Sequence, residues 1–334
     1  MDKSKLIIFG DNWDVYLTAY KDLIDDPRIT YIPSFRPKGL LGQLQRLQYN
    51  PKVNHIVSLP YKHLWTPYYL RHEKGEKYCF LIMEHWLRYE SGLRLLPYLR
   101  KTYPKGKIVC FIQDLIETVK DQYTGKQIDV KYIKHYTDLL ISFDEADAIK
   151  HEACYHPTVF SQQAKVNQST KYDLYFLGRD KGRLKMLLAI AQEAKIRNIS
   201  CKFVMLEVPQ KDRIEFEGIV YSDKDVSYQE NLAMAAESRC IIELLQQKAS
   251  SPTFRTWEAI AQNRKLMTNN QNIKASPFYD KNYISVFHDE LDLDWTFIKN
   301  RNIYTESNPY QERISPIRLV EFMEEKLGIK IDHT

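Results

Sequence analysis

Short apolar runs recur along this chain, separated by longer segments in which apolar residues return every three or four positions. In the first half the runs are Leu6–Phe9, His55–Leu59, Phe80–Met83, Lys107–Ile112 and Leu139–Phe143. Their length and continuity predict five strands buried on both faces. Between them, Leu40–Gln48 and Ser91–Thr102 carry apolar residues at helical spacing, which predicts helices covering a sheet with one apolar stripe each. Strands alternating with helices in this way predict a parallel sheet with crossover helices, an α/β domain.

The pattern stops from His156 to Lys171, where the chain is polar, contains a proline and shows no period. It then restarts with Leu174–Leu177, the amphipathic stretch Lys181–Arg197, and the runs Cys201–Leu206 and Ile219–Tyr221. The segment Tyr228–Asn270 predicts a helix, a buried strand at Cys240–Leu244, a polar loop, a short helix opening near Thr253 and a strand at Lys265–Thr268. A further strand is expected at Ile284–Phe287, and Pro316–Leu327, with proline first and apolar residues at helical spacing, reads as a final helix. The expected organisation is a first doubly wound domain over residues 1–156, a linker over 157–171, a second doubly wound domain over 172–315, and a terminal helix within 316–334.

Composition narrows the class. A chain of 334 residues suits about two domains. The net charge of +5 is mild and the signs are interleaved, which disfavours a nucleic-acid binder. The five cysteines are odd in number, far apart and mostly in apolar runs, which suits reduced thiols. No basic-then-apolar leader follows Met1, so no secretory signal is expected and the cytoplasm is the expected location. No apolar run approaches the roughly 20 residues that cross a bilayer, so a membrane would be met only peripherally, on its inner surface. Basic residues cluster in Arg36–Arg46 and Arg100–Lys107, as either a solvated face or a surface for anionic groups.

In open α/β sheets ligands bind beyond the carboxyl ends of the strands, which directs attention to the residues there. After Leu174–Leu177 comes Gly178-Arg179-Asp180-Lys181-Gly182-Arg183. Glycine lets the backbone approach a ligand, and three cations running into a helix start suit a diphosphate. The alternative is an ordinary exposed turn. At the helix opening near Thr253, free backbone N–H groups would lie beside Thr253, Arg255 and Glu258. Arg255 and Glu258 are one turn apart and share a face, so they suit either a ligand or a simple ion pair. Candidate general bases at strand ends are Asp11 and Asp114 first, then Glu84 and His85, each of which is equally an ordinary loop or cap residue. Asp144 reads as a helix cap. Two Asp-x-Asp triplets, Asp223–Asp225 and Asp292–Asp294, lack the preceding strand that a metal-dependent transferase needs, and the histidines show no ligand spacing, so no metal is expected.

Two pieces carry a resemblance. Ser238–Leu244 (SRCIIEL) followed by Arg255–Asn270 (RTWEAIAQNRKLMTNN) is similar to the nucleotide-sugar-binding half of GT-B glycosyltransferases of bacterial lipopolysaccharide and capsule assembly. Tyr136–Phe160 followed by Tyr172–Ile190 is similar to the domain junction of the same group. The resemblance implies two Rossmann-like domains facing across a cleft, with the last helix crossing back to the first domain. It implies a metal-independent transferase whose partners are a nucleotide-sugar and a saccharide or lipid-linked acceptor, with no further cofactor. Carried onto this sequence, Glu258 would meet the ribose hydroxyls, Arg255, Thr253 and Ser251 would lie near the phosphates, and the turn with Gly178, Arg179, Lys181 and Arg183 would converge on the same pocket. Many retaining members have a glutamate eight positions before Glu258, where this chain has Ser250. That departure turns the expectation towards inverting chemistry, with a base supplied by the first domain. A sugar-nucleotide epimerase and a non-catalytic nucleotide or glycan binder share the architecture and stay open at this point.

Overall fold

The computed structural model describes residues 3–34, 39–48, 50, 53, 56–57, 59, 76–88, 90–121, 125–162, 170–245, 251–300 and 310–333. The chain forms two compact units, Met1–Pro157 with Pro316–Thr334, and Thr158–Ser315.

The first unit is built on β1 (Lys5–Gly10), β2 (Thr30–Pro33), β3 (Tyr78–Met83), β4 (Lys107–Ile112), β5 (Leu139–Ser142) and β6 (Cys154–Tyr155). They form one parallel sheet in the order β2-β1-β3-β4-β5-β6. Four of the five expected strands are present. The expected strand at His55–Leu59 falls partly outside the described residues, and Ile56, which is described, is helical. The sheet also contains β2 and β6, which are short and only partly buried, so neither produces a continuous apolar run.

The helix Glu90–Thr102 covers this sheet as its spacing predicts, with Leu95, Leu96 and Leu99 fully buried. The helix Gly39–Gln48 also forms, but it does not cover the sheet with its leucines: Leu40, Leu41, Leu44 and Leu47 are exposed and Gly42 is buried. The last helix, Pro316–Leu327, belongs to this unit. It buries Leu319, Val320 and Met323, and the chain beyond it pairs with Ser4, whose N–H donates to Lys330 O at 2.7 Å.

The second unit carries β7 (Tyr172–Arg179), β8 (Cys201–Leu206), β9 (Ile219–Ser222), β10 (Ser238–Glu243), β11 (Lys265–Thr268) and β12 (Ile284–Val286). Its order is β12-β11-β10-β7-β8-β9, again all parallel. Both sheets are doubly wound. The winding reverses between β1 and β3 in the first sheet and between β7 and β10 in the second. A reversal leaves neighbouring connections on opposite faces of the sheet, and the gap between them at the carboxyl end is where such sheets accept ligands.

Candidate functional site

At the β1/β3 reversal, Asp11 follows the last residue of β1 and is 1% exposed. Its Oδ1 accepts the backbone N–H of Asn12 at 2.6 Å and of Trp13 at 3.2 Å, while Oδ2 lies 3.0 Å from His85 Nδ1. His85 sits on the short helix Glu84–Leu87 directly after β3. Trp86 anchors that helix, donating from Nε1 to Gly10 O at 2.7 Å. Gly10 is needed here, because a Cβ at this position would lie 2.1 Å from the Tyr31 ring. The contact is an ion-pair distance rather than a hydrogen bond, and a carboxylate so placed would favour a proton on Nδ1.

Glu84 and Asp114 share a different partner. Arg88 Nη2 donates to Glu84 Oε1 at 2.7 Å and to Asp114 Oδ2 at 3.1 Å, and the Gln113 N–H donates to Glu84 Oε2 at 2.8 Å. Burial raises the pKa of Glu84, and Arg88 opposes that rise. Asp114 is more than half exposed. Of the four base candidates, the structure therefore pairs Asp11 with His85 and links Glu84 to Asp114 through Arg88. Arg88 escapes notice in the sequence because nothing there shows that β3 and β4 are neighbours.

At the β7/β10 reversal the cationic turn divides. Arg179 is exposed and lies 3.2 Å from Glu207, and Lys181 is exposed with a left-handed φ of 43°. Asp180 accepts the Leu184 N–H, the first of the helix Leu184–Ile196, at 2.9 Å. Arg183 turns towards the sheet instead. Its guanidinium lies 5.7 Å from the centroid of the Phe176 ring, and Nη1 donates to Leu244 O at 3.4 Å, a long bond. Its Nε is buried without a hydrogen-bond partner, and Arg183 forms no ion pair among the described residues. Burial, and after it the like charge of Arg255, lower its pKa.

Arg255 comes from the helix Phe254–Ala261, capped by Thr253, whose hydroxyl accepts the Arg255 N–H at 3.2 Å. Arg255 Nη1 donates to both Glu258 oxygens, at 2.7 and 2.5 Å, and Nη2 donates to Leu177 O at 2.7 Å. Glu258 is 0% exposed and also accepts from Tyr228 Oη at 2.7 Å and Asn231 Nδ2 at 3.3 Å. Its carboxylate is thus engaged within the protein, in the ion pair that spacing alone allowed.

Glu243, at the end of β10, has a similar fate. Oε1 accepts from Thr253 N at 3.0 Å, Thr253 Oγ1 at 2.6 Å and Thr256 Oγ1 at 2.9 Å, and Oε2 from Thr268 Oγ1 at 2.6 Å. It holds the amino end of the helix against the sheet, where a negative charge is favoured. Ser251 is buried, and Ser250 lies outside the described residues. Asp144 caps its helix by accepting the Asp147 N–H at 3.0 Å. In the Asp-x-Asp triplets, Asp223 pairs with Arg213, Asp292 accepts the His288 N–H, and Asp294 caps the Trp295–Lys299 helix.

No protein-family model matches this sequence, and no curated protein matches it. Solved structures are similar to it in shape. An α,α-trehalose-phosphate synthase (UDP-forming) from Burkholderia vietnamiensis is 11% identical, covering 98% of this chain and 99% of its own, with a TM-score of 0.54. The fold is GT-B. Anabaena HepE in complex with UDP-glucose is 11% identical over 97% of this chain and 99% of its own, with a TM-score of 0.49. A UDP-N-acetylglucosamine 2-epimerase from Listeria monocytogenes is 9% identical over 100% and 99%, with a TM-score of 0.48. At such identities the likeness is one of fold.

Proposed function

We propose that this protein is a glycosyltransferase that moves a sugar from a nucleotide-sugar to a saccharide or lipid-linked acceptor in bacterial surface polysaccharide synthesis. The observation that carries the reading is Arg183: a half-buried guanidinium at the sheet reversal, beside a second guanidinium, with one weak carbonyl contact and an unbonded Nε. Arg255 is already neutralised by Glu258, whereas Arg183 has only the attraction of Asp180 against its burial and the like charge of Arg255, so Arg183 is the cation with room for a further anion. A diphosphate supplies that anion, and Arg179 and Lys181 at the rim add to the field that attracts it.

In this reading Arg183 and Arg255 stabilise the leaving diphosphate electrostatically, the work a metal ion does elsewhere. Glu258 first serves to orient Arg255, and a ribose contact by its carboxylate requires one of its present hydrogen bonds to open. Thr253 and Ser251 contribute the helix start near the phosphates, and Gly178 keeps the strand end low. In the first domain His85, oriented by Asp11, takes the proton of the acceptor hydroxyl while that oxygen bonds to the sugar's anomeric carbon. The hydroxyl attacks from the face opposite the diphosphate, whose bond to that carbon breaks with its electron pair, so the anomeric configuration inverts. Asp114, tied to Arg88, shapes the neighbouring surface rather than acting as the base.

Thermal-shift measurement against nucleoside diphosphates and their sugars tests the reading. At least one nucleoside diphosphate is expected to raise Tm, and Arg183→Ala to reduce that rise. Failure of every compound to stabilise the protein overturns the proposal. So does conversion of a nucleotide-sugar to its epimer with no acceptor present.

A further inference from the structure

Trp13 is 53% exposed, whereas Trp86 and Trp257 are buried and Trp295 is half-buried. A large ring left in water is informative when the chain holds it in place beside other chemistry. Trp13 is held on both sides. Its N–H donates to Asp11 Oδ1 at 3.2 Å, and its carbonyl accepts the N–H groups of Tyr16 at 2.9 Å and Leu17 at 3.0 Å. Its ring lies 5.7 Å from the His85 ring, centroid to centroid, with the planes 47° apart. Asp11 Oδ2 lies 3.0 Å from His85 Nδ1. One buried carboxylate thus fixes the indole through one oxygen and faces the imidazole with the other.

Asn12, between Asp11 and Trp13, is exposed as well. Asp11 Oδ1 accepts its N–H at 2.6 Å, and its own Oδ1 accepts from Ser34 Oγ at 3.3 Å. Its Nδ2 donates to no group among the described residues, which leaves two N–H donors for a ligand. A flat aromatic face with an amide beside it selects a ligand that has an apolar face and a polar edge. A pyranose has both. Its C–H bonds make one face slightly positive, which the negative face of the indole attracts, and its hydroxyls surround the ring where an amide can reach them. An aliphatic chain would cover the indole and leave the amide unused. A nucleobase stacks equally well but brings phosphates, and Arg88 at this end of the sheet is already engaged by Glu84 and Asp114.

We infer that Trp13 and Asn12 bind the reacting pyranose of a saccharide acceptor, with Trp13 stacked on its apolar face and Asn12 Nδ2 donating to a hydroxyl. The spacing of the indole and imidazole rings is comparable to the breadth of a pyranose, so a sugar lying on Trp13 carries a hydroxyl at its rim to His85. The group that accepts the transferred sugar is therefore a sugar hydroxyl, and not the hydroxyl of a lipid alcohol or of a protein side chain. Calling this sugar the acceptor rests on the proposed reaction. Its binding is read by itself, with no donor present.

Saturation-transfer difference NMR of the full chain with methyl α-glucopyranoside, methyl β-galactopyranoside, maltose, lactose and N,N′-diacetylchitobiose provides the test. At least one of these sugars is expected to bind, with the strongest transfer to the C–H protons of one ring face. Trp13→Ala is expected to weaken that binding about 10-fold, Trp13→Phe about 3-fold, and Asn12→Ala roughly 5-fold. All three should melt near the wild-type temperature, since both side chains are exposed. Absence of binding by every sugar, or equal binding by wild type and Trp13→Ala, overturns the inference. A nucleoside diphosphate whose stabilisation disappears in Trp13→Ala assigns the indole to a base and also overturns it. Trp13-dependent sugar binding in a protein that no nucleoside diphosphate stabilises upholds the saccharide site and overturns the reaction alone, which tells the two failures apart.

Discussion

Arg255 donates from Nη2 to the main-chain oxygen of Leu177, 2.7 Å away and 78 positions earlier in the chain. Together with the two bonds to Glu258, this fastens Arg255 to the end of β7. Arg183, its neighbour, has no comparable attachment. The two arginines therefore differ, Arg255 as part of the frame and Arg183, in the proposed reading, as the cation left for a ligand.

Arg183→Ala is expected to weaken nucleoside diphosphate binding about 10- to 100-fold, the loss of one charge-assisted contact. Because Arg183 has no ion-pair partner to orphan, Tm should change little. Titration calorimetry and thermal melts on the same variant check both statements, and unaltered affinity would refute the assignment of this side chain.

Glu258→Ala leaves the Arg255 guanidinium without its counter-charge, and Tyr228 and Asn231 without their acceptor. Breaking one side of a buried pair costs about 3–5 kcal/mol. Urea unfolding should show that loss in the midpoint with little change in slope. A variant as stable as wild type would mean that the ion pair is not the frame described here.

His85→Asn and Asp11→Asn are expected to lower transfer turnover about 10²- to 10⁴-fold, the usual range for a general base. Donor affinity should stay the same, since both residues lie in the other domain from the arginines. Asp114→Asn, which alters an exposed partner of Arg88, should cost far less. Comparable turnover in wild type and His85→Asn would eliminate the imidazole as the base.

His156 supplies a pH dependence. It packs against Phe322 and Phe111, with ring centroids 5.0 and 6.3 Å away, and burial lowers its pKa, opposed by the Nδ1–H bond to Pro157 O. The unfolded chain then binds this proton more readily than the folded one. Its contribution to stability is complete above the ordinary value of 6.5 and is lost as pH falls below it. Melts from about pH 7.5 to about pH 5 should show a shallower decline in His156→Gln than in wild type. Parallel declines would show that another group sets the acid limit.

Much of the fold was legible because its strands are buried on both faces. Runs such as Phe80–Met83 and Lys107–Ile112 must be continuously apolar when helices cover both sides. The sheet margins were not: β2 and β6 lie at the two edges, where little burial is required and no apolar run is imposed. The helix at Gly39–Gln48 was legible as a helix, yet spacing says only that one face is apolar, and not which way that face is turned.

The sequence by itself determined that this chain is two parallel α/β domains, that Asp11, His85, Arg183 and Arg255 stand at strand or helix ends, and that Arg255 and Glu258 share a helix face. These are local facts, set by periodicity and by which residues flank an apolar run. Only the tertiary structure decided that Asp11 meets His85, that Arg183 stands unpaired beside Arg255, and that Glu258 and Glu243 are committed to internal bonds. The first two depend on which strands are neighbours where the sheet order reverses, and the last on how the helix Phe254–Ala261 packs beside β10 and β11. Strand order follows from the packing of the whole domain, and no stretch of sequence carries it alone.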